Sequence, residues 1–565
     1  MRPFQICFRF VSGLWLVTSL LGCPAEGVDT PTPDPSATAE PEVEEVVDED
    51  AVLFSRDELH HVDVVIDPFD WAELRQQTRS WLDIFVGEDC LDRPFTKPFT
   101  WFVADEVTVD GAALSDVGIR KKGFFGSLND DKPSLKLRFD REVDEQRLLG
   151  RKRLTLNNAV QDPAVIRQCL AYDLFADAGV PAPRCAFATV DVNGTPKGVY
   201  VVLEDIRKPF LRRHFSDDEG VLLEGTISDF RDGWTTNFER KTNDNEPTDL
   251  VDRFIDVLDE EDDDVFLQRL DTLLDLDTFM TFWAMEVLIE HWDGYAGNTN
   301  NFFLYEDPTT SKTHFLPWGT DGTFGEGEAY TRPNVFAEGR LVHRLLGIST
   351  TRTAYHERLR ELRDALWDAD ALVERIDAMA DLIAPGMPSA RVAEWHEHVD
   401  RLRTAVRSRA MSLNNELPLP GDELRPPFCM VPTGEVNGSA SSTWSSQNPG
   451  AFTATFDGTD APYDGTPLDG QTWAGIGEQG ERFVYMSHPV GNDDAVWLYL
   501  ALPPEFTEQS VEFVLGEDAA LYWGDSRVRE DPMGFTVDGT VGVEAGERSF
   551  GQEVNVTFEG DLVQW

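Results

Sequence analysis

Apolar residues alternate with polar residues in several short segments of the chain and recur every three or four residues in others. Alternation is typical of a strand with one buried face, and the longer period is typical of a helix with one apolar face. The alternation predicts strands at residues 61–66, 134–139, 184–192, 198–203, 302–305 and 314–317, and two strands around an Asp110-Gly111 turn within 99–120. The helical spacing predicts helices at 67–77, 163–178 and 275–290, and a mainly helical region at 355–413.

The predicted strand at 134–139 has one apolar and one basic face. Leu135, Leu137 and Phe139 share one side, and Lys136 lies on the other. We expect the apolar side to pack on a core and the basic side to face a cleft, although ordinary solvated cations would give the same pattern. The basic side belongs to a wider group of cations formed by Arg120, Lys121, Lys122, Lys132, Lys136 and Arg138.

This group of cations stands out because the chain carries a formal charge of −54 at pH 7. Such a charge repels nucleic acid and anionic lipid, so we expect no nucleic-acid partner. It also repels ATP, so a nucleotide site in this chain needs local cations or metal ions.

The pattern changes after a segment rich in proline at 418–432, where we place a domain boundary. Short alternating segments separated by Gly, Asp and Pro turns then predict a β-sandwich. Trp473 and Trp523 are either exposed aromatic residues that bind substrate or carbohydrate, or core residues. The predicted strands lie at 451–456, 482–486, 495–501, 510–515, 520–523, 540–544 and 553–558.

The N-terminus has the features of an export signal. Two arginines accompany an apolar run at 10–21 that is short for a transmembrane helix, and Gly22-Cys23 follows it. We interpret 1–22 as a lipoprotein signal peptide and Cys23 as the lipidated residue, the alternative being an ordinary signal peptide with an incidental cysteine. Residues 23–50 are acidic and rich in proline, and we expect a disordered tether. The membrane contact would be the lipid anchor alone, at the outer membrane or cell surface.

Four further cysteines are available for disulfides in an oxidising compartment. They allow up to two bonds with three possible connectivities, and buried free thiols are the alternative. The four are Cys90, Cys169, Cys185 and Cys429.

The segment after the predicted helix at 275–290 contains a catalytic pattern. His291, Asp293 and Asn298 have the spacing H-x-D-x-x-x-x-N of a protein-kinase catalytic loop, and Asp321 begins a D-x-x-F-G element. The short pattern is weak by itself, since Asp and Asn are also common turn residues.

A longer resemblance supports the short pattern. From about residue 59 to about residue 336 the chain resembles the CotH family of atypical secreted kinases, first known from spore coats. The resemblance implies a two-lobed atypical kinase-like domain, which we place at 51–425. The all-β sandwich-like domain at 430–565 lies outside the resemblance, and the two domains together give an α+β fold. The segments that carry it are 116–123, 134–139, 198–205, 290–295, 300–307 and 315–325.

The resemblance also implies residue roles in transfer of the γ-phosphate of ATP to Ser or Thr hydroxyls of the protein itself or of surface proteins. Asp293 would orient the acceptor hydroxyl, and Lys136 would hold the phosphates. Asn298 and Asp321 would bind magnesium or manganese, because hard oxygen ligands suit these ions.

Three further positions are carried over in part. Gly123 and Ser127 would bound a turn near the phosphates, although the family commonly has a small polar turn where this chain has two phenylalanines. Glu204 would line the nucleotide pocket, or it is a carboxylate at a strand end. Gly319 replaces the first acid of the family's Pro-Trp-Asp-x-Asp segment. The alternative function is therefore a catalytically inactive pseudokinase that serves as a surface adhesin or an assembly scaffold.

Overall fold

The structure is a computed structural model, and the residues that it describes begin at Asp50. All of them fall in one compact unit, Glu49–Trp565. The predicted signal peptide, Cys23 and the tether up to residue 49 lie outside the described residues. No helix within the described residues is long and apolar enough to cross a membrane. The described ranges are 50–79, 82–87, 89–242, 248–325, 336–413, 424, 429–457, 465–476, 482–491, 494–502, 510–515, 519–525, 534–545 and 551–564.

Seven strands close into a barrel in the order β1-β2-β3-β4-β5-β7-β6. All neighbouring pairs are antiparallel except β1 and β6, which run parallel. The strands are β1 (His60–Ile66), β2 (Phe102–Val109), β3 (Ala112–Lys122), β4 (Ser134–Arg138), β5 (Arg153–Asn157), β6 (Cys185–Val192) and β7 (Thr195–Leu203).

The apolar face of β4 fills the barrel, as predicted. Leu135 and Leu137 are fully buried in its core cluster. Lys136 lies on the outer side, directly opposite Arg120 of β3. Short helices flank the barrel: α1 (Pro68–Gln76), whose first amides are capped by Asp67, and α2 (Leu82–Phe85).

The second part of the fold combines helices with a four-stranded sheet in the order β11-β10-β8-β9. Its largest apolar cluster packs these helices against the sheet and the barrel. The elements are α3 (Arg167–Asp177), α4 (Lys208–His214), β8 (Val221–Gly225), β9 (Phe238–Arg240), α5 (Leu250–Leu258), α6 (Asp263–Leu273), α7 (Leu276–Leu288), α8 (Tyr295–Asn298), β10 (Phe302–Asp307), β11 (Lys312–Pro317), α9 (Arg340–Gly347), α10 (Ser349–Leu366), α11 (Ala369–Ile383) and α12 (Val392–Leu413).

Helix α7 delivers the catalytic pattern. Asp275 caps its first turn by accepting from the Thr278 amide at 3.1 Å. The helix is buried on nearly all sides, and Trp283 stacks on Tyr355 of α10 with ring centroids 3.7 Å apart. A buried helix of this kind fixes the position of the loop that follows it.

The C-terminal part is rich in strands, as predicted, and its strands follow one continuous order rather than two separate sheets. The order is β17-β19-β18-β16-β15-β14-β13-β12-β20, and an additional pairing joins β19 to β20. The long strand β19 causes this barrel-like arrangement, because it pairs with β17, β18 and β20. The strands are β12 (Pro432–Thr443), β13 (Gly450–Asp457), β14 (Leu468–Ile476), β15 (Arg482–Gly491), β16 (Asp494–Leu502), β17 (Ser510–Leu515), β18 (Ala520–Asp525), β19 (Gly534–Ala545) and β20 (Glu553–Gln564).

Two disulfides settle the three connectivities that the sequence left open. Cys169 pairs with Cys185, which joins α3 to β6, and Cys90 pairs with Cys429. The second bond ties the segment after α2 to the start of the C-terminal part. An apolar cluster surrounds that bond and includes Phe535 and Val563 of the C-terminal sheet.

Candidate functional site

Six of the predicted site residues meet in one cleft of about 1230 Å³. Its lining comes from the outer side of β3 and β4, from β8 and β9, and from the loops around β10 and β11. The predicted residues that line it are Gly123, Ser127, Lys136, Asp293, Asn298 and Asp321.

Asp293 is held by three asparagine side chains. The Nδ2 groups of Asn298 and Asn300 donate to its Oδ1 at 2.7 and 3.1 Å, and Nδ2 of Asn301 donates to its Oδ2 at 2.7 Å. Burial raises the pKa of Asp293, and the amides of Asn298 and Asn300 oppose that rise. The carboxylate therefore has a fixed orientation, which suits a group that must align an acceptor hydroxyl.

His291 braces this loop. Its fully buried ring places Nε2 3.2 Å from the carbonyl oxygen of Gly319, and Nδ1 lies 3.6 Å from Glu286 of α7. The same Glu286 accepts from the amides of Tyr295 and Ala296 at 2.9 and 2.8 Å. The helix, the Asp293 loop and the segment that leads to Asp321 are thus connected by one set of polar contacts.

Asp321 lies at the base of the cleft and is 8% exposed. Its Oδ2 accepts from Nδ2 of Asn157 in β5 at 3.3 Å, so the barrel and the second part of the fold meet at this carboxylate. The backbone of Phe324, two residues beyond Gly322, donates to the carbonyl of Ile289 at 2.8 Å and holds the D-x-x-F-G element against the end of α7.

Gly319 has a structural reason to be glycine. Its φ is +55°, and a Cβ added there would lie 2.5 Å from Oδ1 of Asn301. Asn301 in turn donates to both Oδ2 and the backbone oxygen of Asp293. The side chain of Asn301 therefore occupies the space that the acid of the family pattern would need at position 319, and the same side chain supports Asp293.

Lys136 faces Glu224 of β8 across the cleft. Burial lowers the pKa of Lys136 to about 8, although Asp205 and Glu224 act in the opposite direction. Burial would raise the pKa of Glu224, but Lys241 and Lys136 outweigh it and bring that pKa to about 2. Lys136 therefore carries a charge near neutral pH and loses it in mildly alkaline solution.

Two more cations from β3 line the cleft. Burial lowers the pKa of Lys122, while Asp321, Asp205 and Glu224 favour its charged form. Arg120 lies over the ring of Trp101 at 4.8 Å. Lys121, which points to the opposite side of the strand, is fully buried and donates to Asp130 at 3.0 Å. Of the predicted cation group, Arg120, Lys122 and Lys136 therefore line the cleft, and Lys121 lies on the opposite side of the strand.

The turn from Gly123 to Ser127 borders the cleft, and the side chain of Ser127 is hydrogen-bonded to the backbone of the turn. Ser127 Oγ donates to the carbonyl of Phe124 at 3.0 Å and accepts from the Phe124 amide at 3.1 Å. Gly123 has φ +139°, which favours glycine, and a Cβ there would lie 2.9 Å from Ser127 Oγ. The Ser127 hydroxyl thus shapes the turn.

The prediction that Glu204 lines the nucleotide pocket places it in the wrong part of the fold. Glu204 is fully buried outside the cleft lining and pairs with Arg151, Arg184 and Arg213. Asp50, the last residue of the predicted tether, joins the same ion cluster through Arg151 and Arg184 and is buried rather than extended. Glu204 is satisfied by these guanidinium groups, and Glu224 is the carboxylate opposite Lys136.

The oxygen atoms at the base of the cleft fit a hard divalent cation. Asp321, Asn298 and Asn301 line the same space, and their side chains carry carboxylate and amide oxygens. Magnesium and manganese prefer such carboxylate and carbonyl oxygens. The described residues of the cleft therefore offer a donor set of the right chemistry.

The cleft has the parts of a protein-kinase site. These parts are a lysine on a strand, a glycine turn, a loop aspartate with an asparagine five residues later, and a second aspartate. The sequence comparison agrees. Residues 119–413 match the family described as CotH kinase protein, which is just over half of the chain. The chain belongs to the CotH kinase family.

Two relatives each match less than half of the chain. The chain is 26% identical to Inner spore coat protein H of Bacillus subtilis over 257 residues, which are 42% of this chain and 69% of that protein. It is 25% identical to Invasin CotH3 of Rhizopus delemar over 273 residues, which are 43% of this chain and 44% of the invasin. The chain thus spans less than half the length of the invasin.

A solved structure was also found, the Helicobacter pylori proinflammatory kinase CtkA. It aligns with 51% of this chain and 98% of its own, with 11% identity and a TM-score of 0.26. At this score the likeness has no weight for the fold.

Four residues that matter to the site's geometry were not predicted. Glu224, Asn157 and Asn300 touch or face the predicted residues, and Glu286 supports the loop from within α7. Asn300 lies inside the segment that carries the resemblance, so its amide was visible as a candidate. Glu224 lies on β8, whose sequence Val-Leu-Leu-Glu-Gly does not alternate and did not predict a strand.

Proposed function

We propose that the protein is a metal-dependent kinase that transfers the γ-phosphate of ATP to Ser or Thr hydroxyls, in itself or in proteins of the cell surface. The observation that supports this most directly is the meeting of Lys136, Asp293, Asn298 and Asp321 in one cleft. The cations of β3 and β4 supply local positive charge in a chain of net charge −54, which repels nucleotides elsewhere.

The residues divide the work of phosphoryl transfer, in which positioning and charge neutralisation provide most of the catalysis. Lys136 binds the phosphate oxygens, and Asp293 orients the acceptor hydroxyl and takes its proton. Asn298 and Asp321 hold magnesium or manganese, which would neutralise charge on the phosphates. The asparagine amides keep Asp293 in the orientation that this role requires.

The first test measures nucleotide binding. Calorimetry with ATP and manganese should detect binding by the wild type and none, or much weaker binding, by Asp321→Ala. Asp131→Ala is a matched control, since the side chain of Asp131 is almost fully exposed and lies outside the cleft lining. Equal affinity of the wild type and Asp321→Ala would place the site elsewhere.

The second test measures phosphoryl transfer from labelled ATP to the protein and to a generic protein substrate. Asp293→Asn is nearly isosteric and should bind nucleotide yet lose several orders of magnitude in rate, because the acceptor is no longer aligned. Label that persists in Asp293→Asn would assign the chemistry to another residue.

A catalytically inactive adhesin or scaffold is the second candidate, and Gly319 is the observation that favours it. The acid of the family pattern is absent there, and Asn301 closes the space. Nucleotide binding without any transfer by the wild type would support this candidate and exclude the kinase.

We also propose that the protein is exported and anchored by a lipid on Cys23 at the outer membrane or cell surface. The motivation is the apolar run and the Gly22-Cys23 site. Two relatives bear names that refer to a spore coat and to an invasin. Mass spectrometry of the mature N-terminus should find a lipid-modified cysteine, and a free amino terminus at another residue would refute the anchor.

A further inference from the structure

The outer face of four neighbouring strands in the C-terminal sheet carries a group of aromatic side chains. Strand pairing places Trp473 opposite Tyr485, Tyr485 opposite Tyr499, and Tyr499 opposite Tyr522, so the four form one row across β14, β15, β16 and β18. We call this row, together with the adjacent Phe483 and Trp497, the aromatic platform. All six side chains are half-buried.

The strands' alternation shows that the platform is separate from the core. The residues that lie between successive positions of the platform face along each strand point inward, and Val484, Leu498 and Leu521 are examples that are at most 1% exposed. Trp523, the other tryptophan considered in the sequence, is a core residue at 2% exposure. The sheet therefore has a complete core without the platform, and the aromatic rings outside it need another explanation.

Two glycines let the rings lie flat. A Cβ at Gly475 would lie 2.2 Å from the ring of Phe483, and one at Gly524 would lie 2.4 Å from the ring of Trp497. These rings therefore cover the bare backbone of the neighbouring strand. Phe483 and Tyr499 stack with centroids 5.5 Å apart and planes 18° apart. Trp473 and Tyr485 lie with centroids 6.0 Å apart and planes tilted by 35°. The rings therefore form a continuous aromatic surface.

The platform is also uncharged, although the chain has 27% charged residues. The row above it and the row below it carry no charged residue either, so twelve paired positions in three rows are neutral. On the neighbouring strand β13 the same face is polar, with Thr453 among its residues. The two flanking rows are Gln471, Ser487, Trp497 and Gly524, and Gly475, Phe483, Ala501 and Ala520.

The neutral, aromatic character of the platform indicates the kind of ligand that it binds. A sugar ring has a flat apolar C–H face and a polar rim, which matches tyrosine and tryptophan rings with polar edges. Adjacent strands are about 4.8 Å apart, close to the length of one sugar unit in an extended chain. The twelve positions contain no Leu, Ile, Val or Met, so the surface offers aromatic rings and small or polar side chains for stacking. An anionic polymer would be repelled by the net charge of −54.

We propose that the aromatic platform binds an uncharged β-1,4-linked polysaccharide, with successive sugar rings stacked along the row from Trp473 to Tyr522. One end of the row continues into the cleft region. Tyr522 packs against the apolar cluster that contains Phe125 and Met430, and both of these line the cleft. A chain held on the platform is therefore held beside the cleft.

Affinity electrophoresis of the full chain tests the proposal, with hydroxyethyl cellulose and glycol chitin as neutral polymers and polygalacturonate as an anionic one. The wild type should be retarded by at least one neutral polymer and not by polygalacturonate. Trp473→Ala and Tyr499→Ala should each weaken retardation by about tenfold, since each removes one stacking ring. Tyr499→Phe keeps the ring and should retain most of the binding.

Two controls separate the proposal from other causes. Thr453→Ala, on the polar part of the same face, should bind like the wild type, and circular dichroism should show that each variant is folded. Asp321→Ala should also bind like the wild type, so a failure of the kinase proposal does not affect this one. No retardation of the wild type by either neutral polymer, stronger retardation by polygalacturonate, or equal retardation of wild type and Trp473→Ala would each overturn the proposal.

Discussion

Replacing Gly319 with alanine tests how firmly Asn301 is held between that glycine and Asp293. The new Cβ would lie 2.5 Å from Asn301 Oδ1, so the asparagine has to move. Movement would break its hydrogen bonds to Oδ2 and to the backbone oxygen of Asp293, which are 2.7 and 3.0 Å long. The first is worth about 1.5–3 kcal/mol because its acceptor is charged, and the second about 0.5–1.5 kcal/mol.

Backbone strain adds to this loss. A φ of +55° costs an L-residue with a side chain about 1–2 kcal/mol relative to glycine. The total expected loss for Gly319→Ala is about 3–6.5 kcal/mol of unfolding free energy. Gly179→Ala is the matched control, since Gly179 has φ +80° and nothing within 4 Å of its added Cβ. That variant should lose only the strain, about 1–2 kcal/mol.

The assay is urea denaturation followed by tryptophan fluorescence and far-ultraviolet circular dichroism. A chain of this size can unfold in more than one step, so the two variants are compared in the same transition. Asn301→Ala completes a double-mutant cycle. In that background Gly319→Ala should cost no more than Gly179→Ala, because the side chain that obstructs the Cβ is gone. Equal losses for Gly319→Ala and Gly179→Ala in the wild-type background would refute the account of Asn301.

Two further predictions concern Lys136 and Cys429, which both line the cleft. Burial lowers the pKa of Lys136 to about 8, so affinity for ATP should be full at pH 7 and fall as the pH rises through 8. Lys136→Arg keeps its charge at pH 9 and should lose this dependence, and an unchanged pH profile would exclude Lys136 as the phosphate ligand. Replacing Cys90 and Cys429 with serine should cost about 2–5 kcal/mol of stability. It should also weaken ATP binding, since Cys429 lines the cleft, whereas serine at Cys169 and Cys185 should affect stability alone.

The sequence was most informative for features that depend on residues close by along the chain, such as the side of a strand on which a side chain lies. Alternation in β4 assigns Lys136 to the outer side whatever the partner strands are, and that assignment is confirmed. The spacing of Asp293 and Asn298 is likewise local, because the short helix α8 brings the second residue back to the first. Contacts between residues a few positions apart can be predicted from the repeat of apolar and polar residues along the chain.

Contacts between distant segments were not predictable from the same patterns. Glu204 lies just beyond the end of β7 and Glu224 lies in β8, and the choice between them depends on which segment faces Lys136. That choice is made by the packing of the barrel against the four-stranded sheet, which leaves no local mark in the sequence. The pairing of Cys90 with Cys429, 339 residues apart, is a contact of the same kind.

The turn after Gly123 explains how the C-terminal part of the chain contributes to a cleft formed by other elements. Phe124 and Phe125, which depart from the small polar turn of the family, lie with ring centroids 4.9 Å apart and pack in the apolar cluster around the Cys90–Cys429 disulfide. Withdrawing them would expose apolar surface to water at a cost of roughly 25 cal/mol for each Å². The cluster is completed by residues of β19 and β20, so contact with the C-terminal sheet stabilises the position of the turn. The two residues that weaken the resemblance at this turn are therefore the ones that make the C-terminal sheet part of the scaffold of the cleft.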